Sequence, residues 1–236
     1  MTSKAPIILA VDTSDLELAK SWIAHTAEHV SVFKLGLEFF LNFGRDGVRA
    51  VTENSDAKVF LDLKLHDIPN TVSHAAKSAA ELNPMFLTVH ASGGGAMIRA
   101  AVDAAPTTHV TAVTILTSMS ESDVAAVGFA QNALESASNL ARLAVASGAG
   151  AIVCSPLETS TIRSAVGKET LIITPGVRPL SMVGKDDQTR TMTPSGAIAA
   201  GANYVVIGRP ITEAWEPSGI QIGKRASEIA SEILNS

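Results

Sequence analysis

The residues best suited to chemistry lie in segment 59–71, where three charged side chains follow an apolar run. Asp62 and Lys64 are two positions apart, so on a β-strand they share a face. Strands of a parallel sheet are usually buried on both faces, and buried charges need opposite partners in a compact network. Asp67 lies just past the expected strand end, close enough to turn back to the same place. The spacing therefore predicts a lysine–aspartate cluster.

Lys34 is the second lysine expected in this cluster. It ends the apolar run VFKLG, and a buried lysine rarely lacks a partner. Asp62 and Asp67 are the available carboxylates, and an alternating Lys–Asp–Lys–Asp array would give every charge an opposite neighbour. A structural ion pair near a strand end is the alternative, since such networks also perturb titration.

Eight short apolar runs alternate with longer Ala-rich segments along the whole chain. The runs predict strands over residues 6–11, 30–35, 58–63, 85–90, 109–116, 151–154, 170–174 and 204–207. The intervening segments predict helices over about 14–28, 37–54, 70–82, 94–104, 120–147 and 157–165, one from Thr193 or Ser195, and a last one to Leu234. Thr13 or Ser14 is the expected cap of the first helix. We therefore predict an α/β protein, a single-domain (β/α)8 TIM barrel over residues 1–236.

Composition and charge exclude several classes of function. The chain has 236 residues and a net charge of −5, so it has no basic footprint for nucleic acid. No apolar run approaches the roughly 20 residues that span a bilayer. The run after MTSKAP is too short for a signal peptide. The single cysteine, Cys154, suits a reducing compartment such as the cytoplasm, and is expected to be a small buried residue rather than a nucleophile.

Polar residues follow the apolar runs, at the strand ends where barrel enzymes carry their catalytic groups. They are Asp12, Lys34, Asp62, Lys64, Asp67, His90, Thr117, Arg178 and Arg209. Asp12 either caps the following helix or binds ribose hydroxyls. His66 and His90 lack a second ligand at helix spacing, so no metal site is expected.

The last two units predict a phosphate site. Barrels often bind phosphate with the loops after strands 7 and 8 and with a short extra helix. Gly208 lets the backbone approach an anion, and Arg209 supplies a guanidinium at the start of a helical turn. Arg178 and Gln188 lie in the loop after strand 7. A solvated surface loop is the alternative for that segment.

These motifs together resemble the orotidine 5'-phosphate decarboxylase family. The matching segments are AVD at 10–12, FKLG at 33–36, DLKLHDIPNT at 62–71, VHASGG at 89–94, LTS at 116–118, TPGVRP at 174–179 and IGRPIT at 207–212. They cover essentially the whole chain. The aspartate–lysine–aspartate element followed by IPNT is highly specific.

The resemblance implies a cofactor-free decarboxylation of orotidine 5'-monophosphate to UMP. The implied catalytic array is Lys34, Asp62, Lys64 and Asp67, and the implied ligand-binding residues are Asp12, Lys34, Asp62, Thr71, Thr117, Arg178, Gln188, Gly208 and Arg209. In the family, the counterpart of Asp67 comes from the neighbouring subunit. A homodimer with shared sites is therefore implied, in which Asp67 and Thr71 reach the partner's site.

Two other functions compete with this one. A related barrel with the same aspartate–lysine–aspartate element acts on a ketohexulose phosphate through a Mg²⁺-stabilised enediolate. Those relatives carry an acidic residue where this chain has Lys34, and a lysine opposes metal binding by its charge. A non-catalytic barrel that binds a phosphate ligand is the second, although binding alone does not require two buried Lys–Asp pairs.

Overall fold

Eight parallel β-strands form one closed barrel, each paired with the strands before and after it. A computed structural model describes residues 4–53, 57–179 and 192–236. The strands are β1 (Ala5–Ala10), β2 (Val30–Leu35), β3 (Lys58–Leu65), β4 (Phe86–His90), β5 (His109–Val113), β6 (Ala151–Val153), β7 (Leu171–Thr174) and β8 (Tyr204–Ile207). The predicted (β/α)8 barrel is confirmed.

The helices connect successive strands around the outside of the barrel. Those in the described ranges are α1 (Leu16–Thr26), α2 (Leu37–Thr52), α3 (Pro69–Ala80), α4 (Gly95–Ala104), α5 (Glu121–Ala126), α6 (Ala133–Ala146), α7 (Thr159–Val166), α8 (Pro194–Ala199), α9 (Arg209–Thr212) and α10 (Ile220–Leu234). None of the helices in these ranges has the length and apolarity needed to cross a membrane.

Several predicted element ends differ from the structure, and the start of α1 and the end of β5 are two of them. The first helix is capped by Asp15, whose Oδ1 accepts hydrogen bonds from the backbone N–H groups of Glu17 and Leu18, both at 3.0 Å. The predicted cap at Thr13 or Ser14 is wrong, because the Asp15 carboxylate satisfies the free amides at the helix start. Strand β5 ends at residue 113 rather than 116.

Alternation along the strands separates two apolar regions. Outward-facing residues pack under the helices in a large core that includes the buried Phe33 and Phe39. A smaller cluster contains Ile8, Val32, Phe60, Phe86, Ala151 and Ile173. Its members come from six different strands and pack against one another, so this second cluster faces the barrel interior.

The interior side of the strands also positions the predicted charged residues. Lys34 lies two residues after Val32, and Asp62 lies two residues after Phe60, so both continue the inward-facing rows. Lys34 is in register with Phe60, which lies two residues before Asp62 on β3. The interior of the barrel is therefore apolar along the middle of the strands and charged at their carboxyl ends.

Candidate active site

Four predicted side chains meet at the carboxyl end of the barrel. Lys64 Nζ lies 2.8 Å from Asp62 Oδ1, and Lys34 Nζ lies 3.5 Å from Asp62 Oδ2. Lys34 Nζ is also 3.2 Å from Asp12 Oδ1. The order along the cluster is thus Asp12–Lys34–Asp62–Lys64, with opposite charges adjacent throughout. We call these four residues the charged array.

The centre of the charged array is largely withdrawn from water. The side chains of Lys34 and Asp62 are 12% and 13% exposed, whereas that of Asp12 is 53% exposed at the rim. Burial alone raises the pKa of the Asp62 carboxyl, but the positive charges of Lys34 and Lys64 and hydrogen bonds from Lys64 and Thr88 outweigh it. The pKa of Asp62 therefore lies below its usual range, and the group is a carboxylate at neutral pH.

Lys64 reaches Asp62 from an irregular part of β3. Leu61 pairs with Leu87 and Leu65 pairs with Val89, so between these two pairs β3 contains two more residues than β4. Lys64 has a φ of +49°, in the left-handed region that non-glycine residues seldom occupy. Holding a residue there costs about 1–3 kcal/mol and is common at functional sites. The prediction that Asp62 and Lys64 lie together assumed a regular strand. In the structure the two side chains meet across a bulge in β3.

Gly36 gives the charged array the room it needs on the β2 side. A Cβ atom at this position would lie 3.1 Å from both Asp12 Oδ1 and Lys34 Nζ. These contacts are tighter than ordinary van der Waals distances, so a side chain would press on the ion pair. The glycine of the FKLG segment therefore has a packing reason.

A cavity of about 220 Å³ opens beside the charged array. Its charged wall is formed by Lys34, Asp62 and Lys64, and Thr117 lies at its edge. The remaining lining is mostly apolar: Phe60, Val113, Ile115, Leu116, Val153, Cys154, Pro175 and Val206. A small ligand with a few polar groups suits such a cavity, because apolar walls exclude water and the charges orient the ligand.

Cys154 contributes to the cavity wall as a buried, inert residue. It is 0% exposed, and burial raises the pKa of its thiol to about 12. A thiol with this pKa is protonated at neutral pH and is a poor nucleophile. The expectation of a small buried residue is confirmed.

Three of the four residues predicted to bind phosphate, Arg178, Gly208 and Arg209, follow β7 and β8, which are neighbours in the barrel. Gly208 is the N-cap of the single-turn helix α9, and Arg209 is its exposed first residue. Arg178 is half-buried, and its Nη1 donates a hydrogen bond of 3.1 Å to the Val177 carbonyl. Gln188 lies outside the described residues.

Asp67 and Thr71 do not join the charged array of their own chain. Asp67 is exposed and accepts a 2.6 Å hydrogen bond from the backbone N–H of Ile68. Within the described part of the chain it forms no ion pair, so the expectation that it turns back to the cluster is wrong for a single chain. The cause is local, because its carboxylate folds onto the next amide as α3 begins. Thr71 is exposed in the first turn of α3.

The two histidines near the charged array lie close to each other. The rings of His66 and His90 lie 5.5 Å apart. Burial lowers the pKa of His90, and the charges of His66 and Lys64 lower it further against the opposing effect of Asp62. In the ranges that the structure describes, no three His, Cys, Asp or Glu side chains are grouped to hold a metal ion.

The fold and this site define a class of protein: (β/α)8-barrel enzymes that carry a lysine–aspartate array at the carboxyl ends of β2 and β3. Residues 5–219 match the model of the orotidine 5'-phosphate decarboxylase / HUMPS family. The chain belongs to that family, which confirms the resemblance found in the sequence.

Individual relatives agree with the family match. The chain is 50% identical over 229 residues to an orotidine 5'-phosphate decarboxylase of Thermobifida fusca, covering 97% of this chain and 96% of that protein. It is 42% identical to the enzyme of the same name from Frankia casuarinae, covering 98% and 92%. The crystal structure of orotidine 5'-phosphate decarboxylase from Lactobacillus acidophilus superposes with a TM-score of 0.82 at 34% identity, covering 98% and 99%.

One residue of the site was missed from the sequence. Thr88 is fully buried on β4, and its hydroxyl contacts both Asp62 and the Lys64 backbone. The available signal was a polar residue on an inward-facing row of an otherwise apolar strand. That signal was weak, because threonine is common in strands for its shape alone.

Proposed function

We propose that this chain is a carboxy-lyase that converts orotidine 5'-monophosphate to UMP and CO₂ without a cofactor. The observation that carries the proposal is the pairing of Asp62 with both Lys64 and Lys34 at the wall of a small apolar cavity. Membership of the family supports this substrate, and the relatives at 50% and 42% identity bear the name of this activity.

Lys64 has the chemistry that the reaction requires. When the bond from C6 to the carboxylate breaks, CO₂ leaves and the electron pair stays on C6. The Lys64 ammonium stabilises this negative charge and then transfers a proton to C6, giving UMP and a neutral amine that regains its proton from solvent. An ammonium about 4 Å from a unit charge contributes about 4 kcal/mol at an effective dielectric near 20.

A single charge contact does not account for the whole reaction. Enzymes commonly lower barriers by about 8–23 kcal/mol, so a preorganised site and binding energy from the phosphate must supply the remainder. Asp62 holds Lys64 in position through the 2.8 Å contact. In the bound complex the Asp62 carboxylate would also face the substrate carboxylate and favour its departure by repulsion.

The remaining predicted residues bind the rest of the nucleotide in this proposal. Asp12 and Lys34 hold the ribose hydroxyls at the rim of the cavity, and Thr117 holds the pyrimidine region. Arg178, Gln188, Gly208 and Arg209 hold the phosphate. The exposed guanidinium of Arg209 at the start of α9 supports the phosphate assignment.

We propose that the working unit is a homodimer with shared sites. Asp67 and Thr71 lie outside the charged array of their own chain, which supports a role for both residues in the site of a second copy. Leu37 and Leu41, in the first turns of α2, and Ile68, just before α3, are 49%, 82% and 65% exposed. A contiguous apolar patch formed by these side chains would favour coverage by another protein surface.

Two further assignments rest on composition. The single buried cysteine supports a reducing compartment, which we take to be the cytoplasm. The net charge of −5 supports a small-molecule substrate rather than a nucleic-acid partner.

Lys34 argues against the metal-dependent alternative within the wider family. Its ammonium lies 3.2 Å from Asp12 and 3.5 Å from Asp62, which are the carboxylates that a cation at this position would need. The positive charge of the Lys34 ammonium would repel Mg²⁺. We therefore favour decarboxylation of the nucleotide over chemistry on a sugar phosphate.

The test is the ultraviolet absorbance of orotidine 5'-monophosphate after addition of the purified protein, with and without EDTA. We expect the absorbance to fall at the same rate in both samples. Activity lost with EDTA and restored by Mg²⁺ would support the metal-dependent relative instead. Binding of UMP without any release of CO₂ would support a non-catalytic barrel.

A further inference from the structure

Thr88 forms hydrogen bonds to both residues of the charged array that lie on β3, Asp62 and Lys64. It lies in the middle of β4 and is 0% exposed. Its Oγ1 accepts a hydrogen bond of 2.8 Å from the backbone N–H of Lys64 and donates one of 3.0 Å to Asp62 Oδ1. An N–H can only donate, so the hydroxyl proton is free for the carboxylate and the direction of both bonds is fixed.

The position of Thr88 on β4 explains why a side chain takes this role. It lies between Leu87 and Val89, which pair with Leu61 and Leu65 on either side of the bulge. Across the bulge the regular ladder between the strands is interrupted, so the partly buried Lys64 amide needs another acceptor. The Thr88 hydroxyl provides it, and β-branching restricts its χ1 rotamer.

We infer that Thr88 is a positioning residue for the decarboxylation, fixing the Lys64 backbone and the Asp62 carboxylate in one arrangement. Through Lys64 it holds the chain in the left-handed conformation that places the ammonium at the cavity. Through Asp62 it sets which oxygen faces Lys64 and which faces Lys34. This inference rests on the proposed function and adds a residue that is not among those lining the cavity.

The test compares variants that differ in the hydroxyl group alone. Thr88→Val keeps the shape of the side chain, and Thr88→Ser and Thr88→Ala differ from each other by a single oxygen atom. We expect kcat to fall about 10- to 100-fold in the valine and alanine variants, as for loss of a hydrogen bond to a charged group. Thr88→Ser is expected to retain most of the activity, and the affinity for UMP is expected to change little in all three.

Thr111→Val is the matched control. Thr111 is in register with Thr88 on the next strand and is equally buried, but its hydroxyl bonds within its own strand, to the His109 carbonyl. The control is expected to lose stability without losing kcat. If Thr88→Val does not fold, the serine–alanine pair decides.

Two results would overturn the inference. One is a wild-type kcat in Thr88→Val or Thr88→Ala; the other is a loss of kcat in Thr88→Ser equal to that in Thr88→Ala. Either result is meaningful once the wild-type protein decarboxylates the nucleotide. An inactive wild-type protein would instead refute the proposed function, so the two failures are distinguishable.

Discussion

Lys64→Ala is expected to lower kcat about 10⁵-fold or more, because it removes both a charge contact worth about 4 kcal/mol and a proton donor worth about 10²-fold or more. The affinity for UMP should remain measurable, since the ribose and phosphate contacts of the proposal do not involve this side chain. The measurement is kcat from the absorbance assay, paired with calorimetric titration of UMP.

A control variant separates this effect from general loss of charge. Lys224 is an exposed residue of α10, far along the chain from the charged array, and Lys224→Ala should keep wild-type kcat. Decarboxylation by Lys64→Ala at a rate within tenfold of the wild type would refute the catalytic role of the lysine. The Asp62–Lys64 contact would then be a structural ion pair.

The second large effect concerns the shared site. Asp67→Ala alone is expected to lower kcat about 100-fold or more, as for loss of a charged partner at an interface. Mixing it with Lys64→Ala should restore activity, because the mixed dimer has one site with Lys64 from one chain and Asp67 from the other. With random exchange, half the dimers are mixed and each has one intact site of two, so recovery should approach about one quarter of wild-type activity.

A second mixture provides the control for this recovery. Asp62 and Lys64 belong to the charged array of a single chain. A mixed dimer of Asp62→Ala and Lys64→Ala therefore has a defect in each site and should stay inactive. Differently tagged chains can show that mixed dimers have formed. Mixed dimers of Asp67→Ala and Lys64→Ala without recovered activity would refute the shared site.

Much of this site could be predicted from chemical necessity. A lysine inside a barrel requires a carboxylate, so Lys34 was expected to meet Asp62 or Asp67, and the structure places it 3.5 Å from Asp62. Eight β-α units in 236 residues indicated a barrel, which in turn predicted that the strand ends lie together. These predictions rest on the cost of buried charge and on the period of the strand.

Other features depend on local packing and hydrogen bonds, which the two-residue period of a strand does not predict. The left-handed conformation of Lys64 and the two extra residues of β3 arise from how β3 and β4 fit together. The position of Asp67 was predicted wrongly for one chain because its carboxylate bonds to the adjacent Ile68 amide. Thr88 was missed because its role appears only once Lys64 leaves the regular ladder.

The most direct measurement is the distance from Lys64 Nζ to C6 of bound UMP in a crystal structure of the complex. The proposed reaction requires a distance of about 4 Å or less, because the ammonium must both stabilise and protonate that carbon. The same complex should place the phosphate at the start of α9 beside Arg209. A pyrimidine ring bound with C6 turned away from Lys64 would contradict the proposed mechanism.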